Sequence, residues 1–270
     1  MFRGLHNVCL NSSIGQPSLL SSSGLVGHFD PTEYTSSSSV WGNKISGQPS
    51  LKRNNSITLS SETPNHFLFD GADDFLSGEI DSYSSVQSEF VLPTNYWTLT
   101  SWVKGLSSAF THILASTLNL NAYFALTKDG NGQSIIYSFS NLGTLGPASS
   151  SLSIPSSIDT SKWNQITITH DYIASMDSYL VYINGNYIGA VTNYAGFTTT
   201  YLLIGKNSYT YYDFMISMDP IVQTSFTTYG IKAGHTLVYN RQITNSEDRQ
   251  NFNFIHDTKS SRVYGATYNA

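Results

Sequence analysis

The chain has 270 residues, a formal charge of −5 and a pI near 5.7. Phosphate binding needs a concentrated basic face, and 13 scattered Lys and Arg, with Lys52-Arg53 the one adjacent pair ahead of the C-terminal tail, exclude nucleic acid as a partner. No run approaches the roughly 18 apolar residues a membrane span needs, and the single cysteine, Cys9, excludes an intrachain disulfide and zinc sites built from clustered thiolates.

Charged residues make up 11% of the chain, against about 25% in an average soluble protein, while aromatics reach 13%, with 18 Tyr and 14 Phe. Ser, Thr, Asn, Tyr and Val suit strands with one face on a core and a neutral polar face toward water. The length suits one all-β domain, since sandwiches commonly run to about 200 to 250 residues.

Residues 1–23 are rich in Ser, Asn and Gly and lack a consistent period. They are expected to form an arm, disordered in a free monomer and ordered by a neighbouring subunit. With one basic residue and no continuous apolar core, the segment fails as a secretory signal. The chain is therefore expected to be cytosolic or assembled from the cytosol. Cys9 between Val8 and Leu10 reads as a small packing residue.

Gly24 to Asp30 reads as the first strand, and Val40-Trp41-Gly42-Asn43-Lys44-Ile45-Ser46-Gly47 follows it. Phe69-Asp70-Gly71-Ala72-Asp73-Asp74-Phe75-Leu76 is a tight acidic turn. Two readings of it are open. Asp70, Asp73 and Asp74 put three carboxylates within five residues, the hard-oxygen set that calcium takes; an Asp beside Gly is also what a structural Asx-turn needs. Gly78-Glu79-Ile80 reads as an edge strand guarded by its charge.

Trp97 to Val103 and Trp163 to Thr169 read as strands, as do 119–125 and 134–139 around the turn Asp129-Gly130-Asn131-Gly132. Residues 141–157 read as a long loop. Leu180 to Gly189 is a hairpin turned by Asn184-Gly185, the pair that most readily takes positive φ at both centres of a type I′ turn. His170-Asp171 suggests a proton shuttle or, more simply, a strand end. His28 and His235 fall in strand patterns as satisfied, partly buried side chains. The seven histidines lack metal-ligand spacing along the sequence.

Tyr201 to Gly205 reads as a buried strand. The segment after it, with Asn207, Tyr209, Tyr211 and Tyr212, combines aromatic platforms with neutral hydrogen-bonding groups, and Tyr194 and Phe197 are candidates to share its surface. Such a patch fits a subunit contact or a glycan site. Met215 to Thr228 reads as an apolar insertion that docks a partner or covers a sheet edge. A last strand lies within Phe226 to Tyr239. Thr244-Asn245-Ser246-Glu247 has capping-box spacing, opening a short helix with Phe252 and Ile255 toward the sheet to seal one end of the sandwich.

The order of these elements resembles the laminin-G-like, concanavalin A-like lectin/glucanase domain, in the variant where "FDG-x-DD-[YF]" precedes a tryptophan strand and "W-x-x-[IV]" precedes a "Y-[IV]-[ND]-G" hairpin. Val40 to Gly47 is similar to the family's "W-x-D-x-S-G" stretch, with Asn43 in place of its Asp. The resemblance implies an all-β, two-sheet antiparallel jelly-roll sandwich over residues 24–264, with one short C-terminal helix, an arm at 1–23 and a tail at 265–270.

Leu237 to Glu247 resembles the family's closing element "YNR-x-[LI]-[ST]-x-x-E", and its continuation through Phe254 and Lys259 to Tyr264 looks like versions carried by phage and other virion structural proteins. That likeness implies a virion structural protein, a capsid decoration or a tail or fibre component. Its partners would be capsid or tail proteins of the same particle, further copies of itself and surface glycans. A soluble carbohydrate-binding lectin is the alternative.

Glycosidases on this fold often place Glu-x-Asp-x-x-Glu on one strand, whereas Glu79-Ile80-Asp81-Ser82-Tyr83-Ser84 ends in a hydroxyl that cannot protonate a leaving glycosidic oxygen. No Gly-x-Ser-x-Gly elbow is present. The chain is expected not to be an enzyme, and no cofactor is expected beyond calcium at the acidic turn.

Overall fold

A computed structural model of the chain describes residues 20–35, 38–54, 57–60, 62, 64–68, 75–79, 96–104, 111–116, 122–128, 134–140, 150–159, 161–173, 176–193, 212–217 and 232–258. Sixteen strands among them form two antiparallel sheets. Sheet A runs β14 (Asn186–Asn193), β13 (Met176–Ile183), β12 (Asn164–Ile173), β7 (Tyr96–Lys104), β16 (Lys232–Tyr239), β5 (His66–Leu68) and β4 (Thr58–Ser60), with β1 (Leu25–Phe29) also paired to β16. Sheet B runs β11 (Ser150–Ser153), β10 (Ser134–Ser140), β9 (Ala122–Lys128), β8 (Thr111–Ser116), β15 (Tyr212–Ser217), β6 (Phe75–Glu79), β3 (Leu51–Asn54) and β2 (Val40–Trp41). The two-sheet sandwich is the expected architecture.

The alternation in β7 shows how the layers are specified, because successive side chains point to opposite faces. Trp97, Leu99 and Val103 enter the core between the sheets, where they join Trp41, Leu51 and Leu76 from sheet B. Thr98, Thr100 and Trp102 face the other way and are also buried. That second face is covered by α1 (Asn245–Thr258), whose Phe252 stacks on Trp102 with ring centroids 5.4 Å apart, and whose Ile255 joins Trp163, Leu237 and Tyr239.

Hydroxyls buried under α1 satisfy one another across the strands. Thr98 pairs with Thr169 at 3.0 Å and Thr100 with Thr167 at 2.9 Å. The donors can be ordered, since each hydroxyl has one proton. Thr167 gives its proton to Asp248 of α1 at 2.6 Å and so accepts from Thr100; Thr98 gives its own to the Arg241 carbonyl at 2.9 Å and accepts from Thr169. Gln165 adds a second donor to Asp248 at 3.2 Å, which ties the helix to β12.

The capping box forms as its spacing predicts. Glu247 N–H donates to the Thr244 hydroxyl at 3.3 Å, and Thr244 N–H donates to the Glu247 carboxylate at 2.8 Å. The helix is longer than expected, at 14 residues. It lies across the outer face of sheet A instead of sealing an end. Glu247 also accepts from the Arg241 guanidinium and from Ser21 Oγ, so Leu20 and Ser21, assigned above to the arm, are packed on the domain. Gly24 turns there at φ +68, with the Arg241 side chain 2.9 Å from where a Cβ would stand.

Other readings change as well, since β11 forms within the stretch 141–157 expected to be a loop. Glu79 was placed on an edge, yet β6 is interior, flanked by β15 and β3. Its neighbour comes from Tyr212–Ser217, so Met215 and Ile216, read as the start of an insertion, belong to a central strand of sheet B. The expected strand at 201–205 lies outside the described residues. The Asn184-Gly185 turn holds, with φ of 52 and 77 and Ile183 opposite Asn186. No helix among the described residues is long and apolar enough to cross a membrane.

Burial pushes the Asp248 carboxyl up to about 7, and its Oδ2 has no hydrogen-bond partner. Between the unfolded value near 4 and 7 the folded state holds a proton that the unfolded chain releases, so this group's stabilisation is full below about pH 4 and is lost as pH rises through 7. Glu247 has the opposite sign. The Arg241 hydrogen bond holds it at about 2, so its stabilisation is present above its unfolded value near 4.3 and is lost as pH falls toward 2. Urea denaturation across pH 3 to 8 should show that Asp248→Asn removes the decline toward pH 8 and gains about 1 kcal/mol there, whereas Glu247→Gln costs about 1 kcal/mol at pH 7 and flattens the acid limb.

Candidate functional site

Of the nine residues singled out as contacts or ligands, Tyr212 lies within the described part. It opens β15 opposite Glu79, the last residue of β6, and a bulge follows between Tyr212 and Phe214. Tyr212 therefore enters sheet B at the end where β6 leaves it. Tyr194, Phe197, Asn207, Tyr209 and Tyr211, together with Asp70, Asp73 and Asp74, lie outside the described residues.

His170 proves to be a packed strand residue. Its ring stacks on Tyr179 at 4.8 Å and lies 5.6 Å from Trp97, and the residue is 2% exposed. A proton shuttle needs access that this position lacks.

The sequence reading missed a cluster that strand pairing assembles from the two ends of the domain. β1 runs against the second half of β16, with His28 opposite Leu237. Between Ala233 and Thr236 the register of β16 against β7 shifts, and His235 sits in that irregular stretch. Its Nε2 comes to 3.1 Å from Asp30 Oδ1, and both side chains are buried. The His28 ring lies 5.9 Å from that of His235, and one ligand atom each from His28, Asp30 and His235 lie within 4.8 Å of one another. Spacing along the sequence carries no trace of this set, because its members meet only through the β1–β16 ladder.

Each member is held by its own surroundings. Asp30 Oδ1 accepts from Thr32 N–H at 3.0 Å and Thr32 Oγ1 at 2.7 Å, capping a one-turn 3-10 helix at Pro31–Glu33, while the Asp30 carbonyl accepts from Trp41 Nε1 at 3.1 Å. Lys44 Nζ stands 3.6 Å from Asp30 Oδ2 and bonds Glu33. Burial pulls the Lys44 ammonium down, but the Glu33 bond and the two carboxylate charges outweigh it, and its pKa stands above the ordinary value.

Asn43 fixes the His28 backbone and explains its own identity. Its Oδ1 accepts from the His28 and Ile45 N–H groups, both at 3.0 Å, and its Nδ2 donates to the Val26 and Pro49 carbonyls at 2.9 and 3.0 Å. Two donors and two acceptors converge on one amide, which fixes the orientation of its O and N. An aspartate could serve the first pair only.

A family model described as the concanavalin A-like lectin/glucanases superfamily matches residues 76–226. The chain belongs to that superfamily. Solved structures share the fold at low identity. A mutant of Trypanosoma rangeli sialidase displaying trans-sialidase activity superposes with a TM-score of 0.57 at 17% identity, covering 86% of this chain and 33% of the sialidase. The receptor binding domain of botulinum neurotoxin C/D mosaic serotype gives 0.56 at 12% identity, covering 85% of this chain and 51% of that one. A botulinum neurotoxin type C structure, from work on cell entry dependent upon interaction with two ganglioside molecules, gives 0.56 at 11%, covering 86% and 51%. This superfamily member thus spans a third of the sialidase and about half of the toxin chains, and such identities show the fold alone. No curated protein matches its sequence significantly.

Within this concanavalin A-like domain, Asn43→Asp should cost about 2 to 4 kcal/mol at pH 7, because it sets a carboxylate against two carbonyl oxygens. Urea denaturation reads this loss, which should shrink below pH 4, where the protonated acid donates again.

Proposed function

We propose that the domain is a non-catalytic adhesion module of a virion structural protein, a capsid decoration or a tail or fibre component assembled in the host cytoplasm. It holds capsid or tail neighbours and further copies of itself through protein contacts, and its outward face meets surface glycans. The observation that carries this reading is the way the sandwich is filled. The centre of sheet A has sheet B on one face and α1 on the other, with Trp102, Leu237, Tyr239 and Phe252 closing the second layer. We place the partner contacts on the sheet B side, where Tyr212 pairs opposite Glu79.

The viral placement rests on the resemblance of the closing element, Leu237 to Glu247, and of its continuation. A lone cysteine agrees with folding in a reducing compartment. The non-catalytic reading rests on Ser84, which stands where a third carboxylate would supply the acid.

A second reading, a carbohydrate-binding lectin, is favoured by the likeness to toxin receptor-binding domains, one of them from work on two gangliosides. The two readings differ in which contact is primary.

Native particles washed in free oligosaccharide and EDTA should retain the chain at high copy; release by sugar would make the lectin reading primary, and release by EDTA would point to the acidic turn. The isolated domain should turn over neither glucan nor sialoside, and Glu79→Gln should leave that blank unchanged. Turnover abolished by Glu79→Gln would overturn the non-catalytic reading.

A further inference from the structure

We infer that His28, Asp30 and His235 form a binding site for a divalent transition-metal ion, independent of the adhesion reading. The set is two imidazoles and one carboxylate, which suits zinc, cobalt or nickel and is a poor match for calcium or magnesium, whose shells are built from oxygen. Ligands at about 2.1 Å from a tetrahedral ion stand roughly 3.4 Å apart. His235 Nε2 and Asp30 Oδ1 stand at 3.1 Å, and all three ligand atoms fall within 4.8 Å. A side-chain adjustment of about 1 Å brings the third ligand into the shell.

The supports resemble those around metal ligands, where outer hydrogen bonds orient the first donors. Thr32 fixes the Asp30 carboxylate through its N–H and hydroxyl, and Asn43 fixes the His28 backbone. Lys44 stands 3.6 Å from Asp30 Oδ2, with its ammonium held on Glu33, and Oδ1 is the oxygen that faces His235. Ligation through His235 Nε2 requires that nitrogen to lose its proton, which passes to Nδ1 or to solvent. Three protein donors leave at least one coordination position for water.

The position of the site gives it a consequence. β1 and the residues after it are joined to β16 at this point, so a bound ion would cross-link the opening strand of the domain to its closing strand. The ion would raise the melting temperature by mass action.

The test is titration of the full chain with Zn²⁺, and with Co²⁺ followed by its visible absorption, for the native protein, His28→Gln and His235→Gln, each checked for native fold by circular dichroism. The inference expects one tight equivalent, a Co²⁺ spectrum of low coordination number, a rise in melting temperature with Zn²⁺ and none with Mg²⁺, and at least about a tenfold loss of affinity in each variant. Should the buried His235 variant fail to fold, the half-buried His28 variant decides. Native protein that takes up no Co²⁺, or a His28→Gln protein that binds as tightly as native, would overturn the inference and leave Asp30 and His235 as a structural hydrogen-bonded pair.

Discussion

The constraint on which this domain depends is that the middle of sheet A is buried on both faces. A sandwich strand ordinarily alternates between core and water, but β7 sends Leu99 toward sheet B and Thr98, Thr100 and Trp102 under a helix. Every hydroxyl on the second face then needs a partner, since an unpaired buried polar group costs about 1 to 3 kcal/mol. The pairs Thr98–Thr169 and Thr100–Thr167 meet that need, and the chain of donors from Thr100 through Thr167 ends on Asp248. A carboxyl at the end of such a wire also orients it, and burial keeps its proton within reach of neutral pH.

The same layer brings together the beginning and end of the described chain. Arg241 reaches the Ser23 carbonyl at 2.8 Å and bonds Glu247, Ser21 Oγ bonds Glu247 at 3.0 Å, and the Tyr239 hydroxyl donates to the Ser21 carbonyl at 2.9 Å. The close of β16, the start of α1 and the approach to β1 are therefore one packed unit. Nearby, Asn43 and Thr32 fix the loop that follows β1, and the His28–Asp30–His235 cluster lies where the opening and closing strands meet.

Features whose physics is local were legible in the sequence. Asn184-Gly185 adopts positive φ because few other pairs tolerate it, and Thr244 with Glu247 forms its box from residues three apart. What failed was long-range. Tyr212 ends a stretch with the composition of a contact patch and Met215 begins one with that of an apolar insertion, and only the pairing of Met215 and Ile216 with Ser77 and Leu76 reveals a central strand. That pairing also makes β6 interior, against the edge placement of Glu79. The 3.6-residue spacing of α1 predicts which face is buried, but not that Trp102 and Trp163 wait on the outer face of the sheet. The histidine cluster is invisible for the same reason, since His28 and His235 converge through register alone.

The proposed adhesion role of this concanavalin A-like domain places its contacts on sheet B, opposite the layer that α1 fills. Amide hydrogen exchange on the domain, free and attached to its particle or glycan surface, tests this most directly. New protection is expected on β6, β15 and the segments flanking them, with β7, β12 and α1 unchanged. New protection on α1 with none around β6 and β15 would contradict it.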